Sequence, residues 1–556
     1  MLKQHFRVCF CFWRHFKQIF AEVPEDIEQV FKQYSEDGLM TVKNLRTFLI
    51  ESQKEIDASE EFAQEIFDSL RLLHLFPRRG LHIEVFFRYL LGDHNLPLPS
   101  PPKVYHDMKA PLSHYFMYTG HNSYITGNQV YGKCSTSPII EALKKGVRVI
   151  ELDLWPNSRK NGVDVLHGGT MTTPVELSKC LVAIKDNAFS ASVYPVIITF
   201  EDHLPKHLQA KVAQMVKNIF GDILYQPNTD FQEFPSPEEL KKKVMISTKP
   251  PKEYLESQSA NRVQNLRKDQ LNDQIEEEEE DLQNASPEYK RLIAIHAEKV
   301  GSNIQESLSL EQGKVRRLSL SEQELKNAAN YCGNLLVRFT QQNLLRVYPK
   351  GLRIGSSNYN PYVGWTHGAQ MVAFNMQGDD KYLWIMQGMF RANGGCGYVK
   401  KPEFLMNVDQ YGQFCDLSGA EQLEVQKTLK VKLYMGEGWL REFHLTHFDW
   451  CSPPDLYTVI KIVGVPSDIS KKKTKTIDDQ WEPMWNEEFE FELRVPELAL
   501  LLIVVKDDDS YKGNEFAGQT CLPISELRPG IRSVPLHNRR GNRYKHVKLL
   551  MRFQFV

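Results

Sequence analysis

Two stretches of this chain alternate between short β-rich runs and helical runs, and this alternation limits the fold more than any other feature. In residues 104–250 the β-rich runs are HYFMYTG, GVRVIELDLW, VDVLHGG, YPVIITFED and KKVMISTK. Strand-like runs resume at RLIAIHA, LLRVYPKGLRI, QMVAFNM and GYVKKPEFL. Strands that are separated by helices pair in parallel, so the pattern predicts a parallel α/β fold.

The regions on either side follow other periods. Apolar residues three and four apart predict helices in residues 21–95, which the proline-rich linker LPLPSPPK follows. After about residue 425, strands alternate with no helices between them, which predicts an antiparallel β-sandwich. A chain of 556 residues is long enough for several such cores.

The loop YSEDGLMT between two predicted helices is similar to a calcium-binding EF-hand, with Gly38 at the turn. Counting from this glycine, Gln33 takes the first ligand position and Asn44 the last. A working loop needs a carboxylate first and a bidentate carboxylate at the twelfth position. We therefore predict a structural helix pair that binds no calcium.

Composition excludes several functional classes. The net charge of -2 gives no overall attraction to nucleic acid, and no run approaches the ~18 apolar residues of a membrane span. The nine cysteines include no CxxC pair, which favours a reducing, cytosolic setting. The cationic and aromatic residues 1–20 lack a signal-peptide core. They predict either a membrane-surface helix, with Cys9 and Cys11 open to acylation, or a helix packed on the next domain.

Polar side chains that can bind metals or move protons end four consecutive predicted strands. In strand order these residues are His121 and Asn122, Glu151 and Asp153, His167, and Glu201. In a parallel barrel the carboxyl ends of the strands converge on the active site. Three carboxylates and an amide oxygen suit Ca²⁺, and the two histidines are candidates for acid and charge-stabilising roles.

These motifs resemble eukaryotic phosphoinositide-specific phospholipase C. GHNSYIT, VIELDLW, HGGTMTT and ITFEDH are similar to the family's X half-barrel, and SSNYNP and NGGCGYVKKP to its Y half-barrel. The resemblance implies a (β/α)8 TIM-like barrel split by an acidic linker, with EF-hand-like helices before it and a C2-type sandwich after it. The compact architecture, with no room for an N-terminal pleckstrin-homology domain, is most similar to the plant type, ahead of the animal sperm type.

By this resemblance we expect six segments. They are a basic and aromatic N-terminal segment (1–20), an EF-hand-like region (21–95), the X half-barrel (104–250), a disordered acidic linker (251–310), the Y half-barrel (311–410) and a C2 lipid-binding domain (425–556). The linker holds an unbroken acidic run from Glu276 to Asp281, which repels itself.

The resemblance also implies residue roles. The calcium ligands are Asn122, Glu151, Asp153 and Glu201. His121 stabilises charge on the phosphoryl group, His167 is the general acid for the departing diacylglycerol oxygen, and Glu151 or Glu201 is the base.

The same resemblance assigns the headgroup contacts. The substrate-binding residues are Lys249, Ser319, Arg346 and Tyr348. The family has a second lysine two residues before Lys249, and Ser247 stands there instead. The loss of this point charge bears on phosphate selection.

Two loops of the last domain carry clustered acids, as in a calcium-binding C2 domain. The expected ligands are Asp449, Asp455, Asp507, Asp509 and Glu515. Such a rim would bind Ca²⁺ and then anionic lipid headgroups. Lys506 and Asp508 depart from the commoner pattern, and ordinary polar loops are the alternative interpretation.

The resulting hypothesis is a calcium-dependent enzyme that cleaves membrane phosphatidylinositol 4-phosphate or 4,5-bisphosphate. Its products are a soluble inositol phosphate and diacylglycerol, formed through a cyclic phosphodiester. The protein would be cytoplasmic and peripheral at the inner face of the plasma membrane, with anionic phospholipids as partners and no nucleic acid. Two alternatives are a catalytically weak phosphoinositide-binding scaffold and a phosphodiesterase for soluble diesters. The preferred headgroup and the upstream activator stay open.

Overall fold

The computed structural model describes most of the chain, in two compact units. The described residues are 3–8, 12–17, 23–71, 80–227, 231–249, 287–301, 303–310, 314–407, 423–444, 447–448, 452–509 and 513–556. One unit comprises Val104–Met386 and Phe390–Asp416, and the other Met1–Lys103, Gln387–Met389 and Leu417–Val556. Most of the predicted acidic linker, including Glu276 to Asp281, lies outside the described residues.

The first unit is a closed barrel of eight parallel strands. In chain order they are β1 (Thr119–Gly120), β2 (Val149–Pro156), β3 (Val196–Asp202), β4 (Val244–Thr248), β5 (Ile293–Lys299), β6 (Arg317–Ser321), β7 (Leu344–Tyr348) and β8 (Met371–Phe374). Each strand pairs with the next, and β8 returns to β1 through Ala373 and Phe374. The predicted TIM-like barrel is therefore confirmed.

In the part of the chain that the structure describes, helices follow the barrel strands, seven of them between strands and the last one after β8. They are Ser137–Lys144, Leu177–Asn187, Lys206–Phe220, Pro287–Lys290, Ile304–Ser307, Glu322–Gln342, Tyr362–Trp365 and Lys381–Met389. The longest begins with a capping box, in which the Ser321 side chain accepts from the Glu324 N–H and the Glu324 side chain accepts from the Ser321 N–H. Buried side chains such as Val149, Ile197 and Met245 fill the barrel core.

Two strand predictions in this unit are corrected. The strand that precedes His167, Val163–Val165, runs antiparallel to β2 and is no barrel strand. Only residues 157–162 separate it from β2, whereas a crossover to a parallel strand needs a dozen or more. Tyr398–Lys400, in GYVKKPEFL, likewise pairs antiparallel with Tyr115–Met117, outside the barrel.

The predicted boundary between linker and Y half-barrel also moves. Strand β5 lies inside the range 251–310 that was expected to be linker. Its run IAIHA is apolar enough to be buried in the barrel wall, and it pairs with β4 and β6. The barrel sequence therefore resumes before residue 311.

The second unit contains the antiparallel sandwich. Its strands are β9 (Lys427–Glu437), β10 (Leu456–Val463), β11 (Ser470–Lys473), β12 (Met484–Leu493), β13 (Leu500–Asp507), β14 (Phe516–Pro523), β15 (Gly530–His537) and β16 (Arg543–Phe555), in the sheet order β11-β10-β13-β14-β15-β16-β9-β12. A single register pair, Gln519 with His537, joins β14 to β15. Apolar side chains from strands on both sides of this link, among them Ile503 and Leu549, share one core.

The helical region of this unit consists of Glu25–Tyr34, Val42–Glu51, Glu60–Arg71 and Ile83–Leu90. Its core includes Phe48 and Phe86, whose rings meet edge to face at 5.0 Å, together with Tyr434 and Ile531 of the sandwich. Asn44, the last position of the EF-hand-like loop, accepts a hydrogen bond from the Thr41 N–H at a helix start.

The helix predicted for residues 1–20 is wrong where the chain is described. Lys3–Val8 and Phe12–Lys17 form an antiparallel hairpin. Aromatic residues favour extended backbone over helix, which is consistent with this outcome. Cys9 and Cys11 lie outside the described residues.

A buried ion pair joins the helical region to the sandwich. The Arg532 guanidinium is 2.7 Å from Glu55 Oε1 and also donates to the Gln53 carbonyl and to Asn95 Oδ1. Arg528 contacts the same carboxylate at 2.6 Å. The guanidinium groups of Arg528 and Arg532 thus share the Glu55 carboxylate as their counter-ion.

We predict that Glu55→Ala lowers the free energy of unfolding of this unit by about 3 kcal/mol, because it leaves the fully buried Arg532 without a counter-ion. Chemical denaturation measures the change. Glu488→Ala is the matched control, since it removes the partner of Arg552 at a more exposed pair and should cost under ~1 kcal/mol. Equal effects of the two substitutions would contradict the prediction.

Candidate active site

Three carboxylates meet at the carboxyl ends of two neighbouring barrel strands. Glu151 and Asp153 are two residues apart on β2, so both face the same side, and Glu201 lies beside Asp153 in the register of β3. One oxygen from each of the three lies within 4.8 Å of the others. The structure therefore brings together the acids that the strand ends predicted.

Burial, repulsion between like charges and hydrogen bonding change the pKa values of two carboxylates in this cluster. The pKa of Asp153 is raised well above its usual range by burial, and then by the nearby Glu201 and Glu151 carboxylates. The buried Asp153 Oδ1 has no hydrogen-bond partner in the described part of the chain, although the nearby Tyr124 hydroxyl partly offsets the rise in pKa. The pKa of Glu201 is lowered, first by its hydrogen bond with His203, whose Nε2 is 3.2 Å from Glu201 Oε1.

Both predicted catalytic histidines flank the acids, and each is anchored through Nδ1. His121 Nδ1 lies 2.9 Å from Asn375 Oδ1, and His167 Nδ1 lies 2.9 Å from the Gln129 carbonyl. Because a carbonyl only accepts, His167 Nδ1 carries the proton and its Nε2 can exchange one. His121 Nε2 is 4.0 Å from Glu151 Oε2. Burial lowers the pKa of His121, and Glu151 partly offsets this effect.

Gln129 is a central residue of the site that the sequence did not predict. Its carbonyl holds His167, and its Nε2 donates to Asn375 Oδ1 at 3.0 Å, the same oxygen that holds His121. Its Oε1 accepts from Asn122 Nδ2 at 3.3 Å, which fixes the orientation of that amide. One side chain and its carbonyl thereby position three predicted site residues.

A pocket beside the acids collects the predicted headgroup residues. Lys249, Ser319, Arg346 and Tyr348 all line it, together with His121, Glu151 and Glu201. Arg346 forms a buried ion pair with Glu151, and its guanidinium lies 5.7 Å from the centre of the Tyr348 ring. Asn122, Asp153 and His167 line an adjoining pocket that shares Tyr348. All ten predicted barrel site residues thus face one connected opening.

The predicted calcium rim of the sandwich is gathered only in part. Asp507 Oδ1 accepts from the Asp455 N–H, and Asp455 Oδ1 accepts from the Asp479 N–H, both at 2.7 Å. Burial, followed by Asp478, Asp479 and Asp508, raises the pKa of Asp455. Among described residues the barrel acids alone form a three-ligand cluster, so Asp455, Asp507, Asp509 and Glu515 do not. Asp449 lies outside the described residues.

Comparisons with known families agree with this architecture. Models of the phosphatidylinositol-specific phospholipase C X and Y domains match residues 108–250 and 289–404. A C2 domain matches 427–538, and the efhand-like region of phosphoinositide-specific phospholipase C matches 17–92.

Individual relatives match over nearly the whole chain. Phosphoinositide phospholipase C 2 of Arabidopsis thaliana is 53% identical, with 100% of both chains covered. The 1-phosphatidylinositol 4,5-bisphosphate phosphodiesterase delta-3 of Mus musculus is 32% identical, over 93% of this chain and 66% of its own. The crystal structure of S. officinalis PLC21 superposes with a TM-score of 0.75 at 25% identity, over 95% of this chain and 68% of that one. The chain belongs to the phosphoinositide-specific phospholipase C family.

Proposed function

We propose that this member hydrolyses membrane phosphoinositides in a calcium-dependent reaction that releases a soluble inositol phosphate and diacylglycerol. The observation that carries the proposal is the acid cluster with a histidine on either side, at the opening of a pocket lined by Lys249 and Arg346. The acids suit a cation, the histidines suit proton transfer, and the two cations suit a phosphorylated headgroup.

The residues present fit a calcium ion. Asp153 Oδ1 is buried without a donor among the described residues, and the three carboxylates crowd one another, so a cation would relieve both conditions. Glu151, Asp153, Glu201 and the Asn122 amide oxygen would hold it. When bound, it would lower the pKa of a coordinated hydroxyl and offset charge on the phosphate.

The chain's own groups account for the proton transfers. Glu151 or Glu201 takes the proton of the inositol 2-hydroxyl as that oxygen attacks phosphorus. His167 Nε2 gives a proton to the departing diacylglycerol oxygen, and the P–O bond to it breaks, which leaves a cyclic phosphodiester. Water then opens the ring with His167 acting as the base. We assign His121 Nε2 to the phosphoryl oxygens of the substrate, whose negative charge would raise the pKa of His121 and favour its charged form.

Exposed apolar residues surround the opening. Leu352 and Ile354 follow β7, and Tyr131 and Met171 lie in loops next to the two histidines. Hydrogen bonds join these loops, from the Gln129 N–H to the Ile354 carbonyl and from the Met171 N–H to the Val130 carbonyl. We infer that this apolar rim enters the lipid surface and brings the headgroup to the site.

The membrane association proposed here is peripheral and cytoplasmic, at the inner face of the plasma membrane. No helix within the described residues has the length and hydropathy needed to cross a bilayer. The C2 domain supports lipid binding, and we propose that Asp455, Asp507, Asp509 and Glu515 help it bind Ca²⁺ near anionic phospholipids.

Hydrolysis in vesicles tests the reaction. We expect product from phosphatidylinositol 4-phosphate or 4,5-bisphosphate vesicles to depend on Ca²⁺, and His167→Ala to lower turnover by roughly 10²–10⁴-fold while calcium binding persists. The matched control is His207→Ala, which changes an exposed histidine. Full activity in a chelator, or in His167→Ala, would contradict the proposal.

We predict that Gln129→Ala lowers kcat by roughly 10- to 100-fold, because Asn122 and Asn375 each lose a hydrogen bond while the backbone contact to His167 stays. Steady-state kinetics measure the change. Gln370→Ala is the control. This buried glutamine immediately precedes β8, and its side-chain amide donates to the backbone carbonyls of Ser113, Thr340 and Asn343. The substitution should reduce stability and leave the kcat of the folded enzyme unchanged. Similar kcat values for the two variants would argue against a positioning role for Gln129.

We predict that Leu352→Glu, at a rim residue that is 88% exposed, lowers activity on anionic vesicles at least ~10-fold through charge repulsion and lost apolar contact. Hydrolysis of a soluble inositol cyclic phosphate should not change. Tyr331→Glu is the matched control. Tyr331 is similarly exposed, at 84%, but it lies on the helix Glu322–Gln342 and does not belong to the apolar rim. Equal losses on vesicles and on the soluble substrate would show that Leu352 acts on the site itself.

A further inference from the structure

A buried arginine with no assigned role lines the headgroup pocket. Arg317 lies on β6, two residues before Ser319, so both side chains point to the same face of the strand. Both line the pocket that also contains Arg346 and Tyr348. Arg317 is only 5% exposed, so its guanidinium is largely removed from water.

No counter-ion of its own faces this guanidinium in the part of the chain that the structure describes. Within the described residues no hydrogen bond or ion pair involves its side chain, and its Nε is buried without an acceptor. The charges that act on it are those of Arg346 and Glu151, and Glu151 is already paired with Arg346. Burial, together with Arg346, lowers the pKa of Arg317 to about 9, so it remains charged at neutral pH.

Two buried arginines therefore lie near the Glu151 carboxylate, which pairs with Arg346, and the guanidinium of Arg317 is left without a partner among the described residues. A buried charge without a partner is costly, whereas a bound anion would satisfy it. The planar guanidinium suits a phosphate, whose oxygens accept two parallel hydrogen bonds. The pocket opens directly beside the acid cluster, so the anion would be part of the substrate rather than a separate ligand.

The second lysine that the family resemblance predicts is absent from this pocket. Ser247 stands on β4 where the family resemblance predicts a lysine, and its fully buried hydroxyl donates to the Ile295 carbonyl at 2.9 Å. Its hydrogen bond is thus used within the barrel wall. The cations that line the pocket are Lys249, just after β4, Arg317 on β6 and Arg346 on β7.

We propose that Arg317, acting with Ser319 and Arg346, binds a phosphomonoester on the inositol ring and makes the enzyme select phosphorylated headgroups. This inference rests on the proposed function and adds a residue that determines specificity. It assigns Arg317 to the ring phosphate, and not to the diester that is cleaved.

The test compares three lipids in otherwise identical vesicles: phosphatidylinositol, its 4-phosphate and its 4,5-bisphosphate. We expect Arg317→Met, which keeps a similar side-chain length, to lower kcat/KM for both phosphorylated lipids by roughly 10- to 100-fold. The value for phosphatidylinositol should change by less than about threefold, since that headgroup lacks the anion. Arg317→Lys, which keeps the charge but loses the planar fork, should fall between wild type and Arg317→Met.

Binding of soluble inositol 1,4,5-trisphosphate and of inorganic phosphate, measured by calorimetry, provides a test that needs no turnover. Wild type should bind the trisphosphate more tightly than Arg317→Met by a similar factor. Tight binding of inorganic phosphate alone would show a free-anion site and overturn the headgroup assignment.

Other outcomes are equally distinct. If Arg317→Met loses activity equally on all three lipids, Arg317 acts on catalysis through the charge of Glu151, and the inference fails. If wild type cleaves none of the lipids but shows the binding difference, the proposed function fails while the role of Arg317 in phosphate binding stands. If Arg317→Met does not fold, the test uses Arg317→Lys and compares its kcat/KM for the two phosphorylated lipids with its kcat/KM for phosphatidylinositol. An unchanged ratio in Arg317→Lys would then contradict the inference.

Discussion

Repulsion among three carboxylates at the ends of β2 and β3 is the constraint around which the catalytic unit is arranged. The charge of each carboxylate is reduced or compensated in a different way. Glu151 pairs with Arg346, Glu201 contacts His203, and Asp153 is left buried with a raised pKa. His203 is itself held by a Trp155 ring stacked at 3.9 Å. The site is thus a set of partly compensated charges, which a divalent cation could complete.

The compensation depends on closure of the barrel. Glu151 lies on β2 and Arg346 on β7, and the pairing of β8 with β1 places these distant segments around one opening. Neither half of the barrel sequence contains both members of the ion pair. A break in the strand order between the two halves would therefore leave a buried charge on each side. The two halves form one site although a long polar segment separates β4 from β5 in the sequence.

Much of this site could be predicted from local sequence, and the remainder depends on contacts between distant residues. The spacing of Glu151 and Asp153 along one strand places both on the same face, whatever the details of the fold. Arg346 and Ser319 could be recognised only through family motifs, because a lone arginine or serine in a strand carries no signal. Gln129 gave none, since its partners Ser356 and Asn375 lie more than two hundred residues away.

The errors have similar causes. His167 was placed at the end of a parallel strand because VDVL has the right composition, but the short connection after β2 allows only an antiparallel return. The calcium rim of the sandwich stays a prediction, because the acids close in sequence form no three-ligand cluster among the described residues. Asp507 instead accepts from the Asp455 N–H, so one of its oxygens is used in holding the loop.

The shared core of the helical region and the sandwich has a consequence for synthesis of the chain. Leu90 and Phe86 belong to one apolar cluster with Tyr434 and Leu550. The helices therefore leave the ribosome more than three hundred residues before the surface that completes their core. Until then the part of their apolar surface that packs on these sandwich residues stays uncovered, while the barrel sequence between them is being made. The core of the first helices of this unit is thus completed only when its last strand has been made.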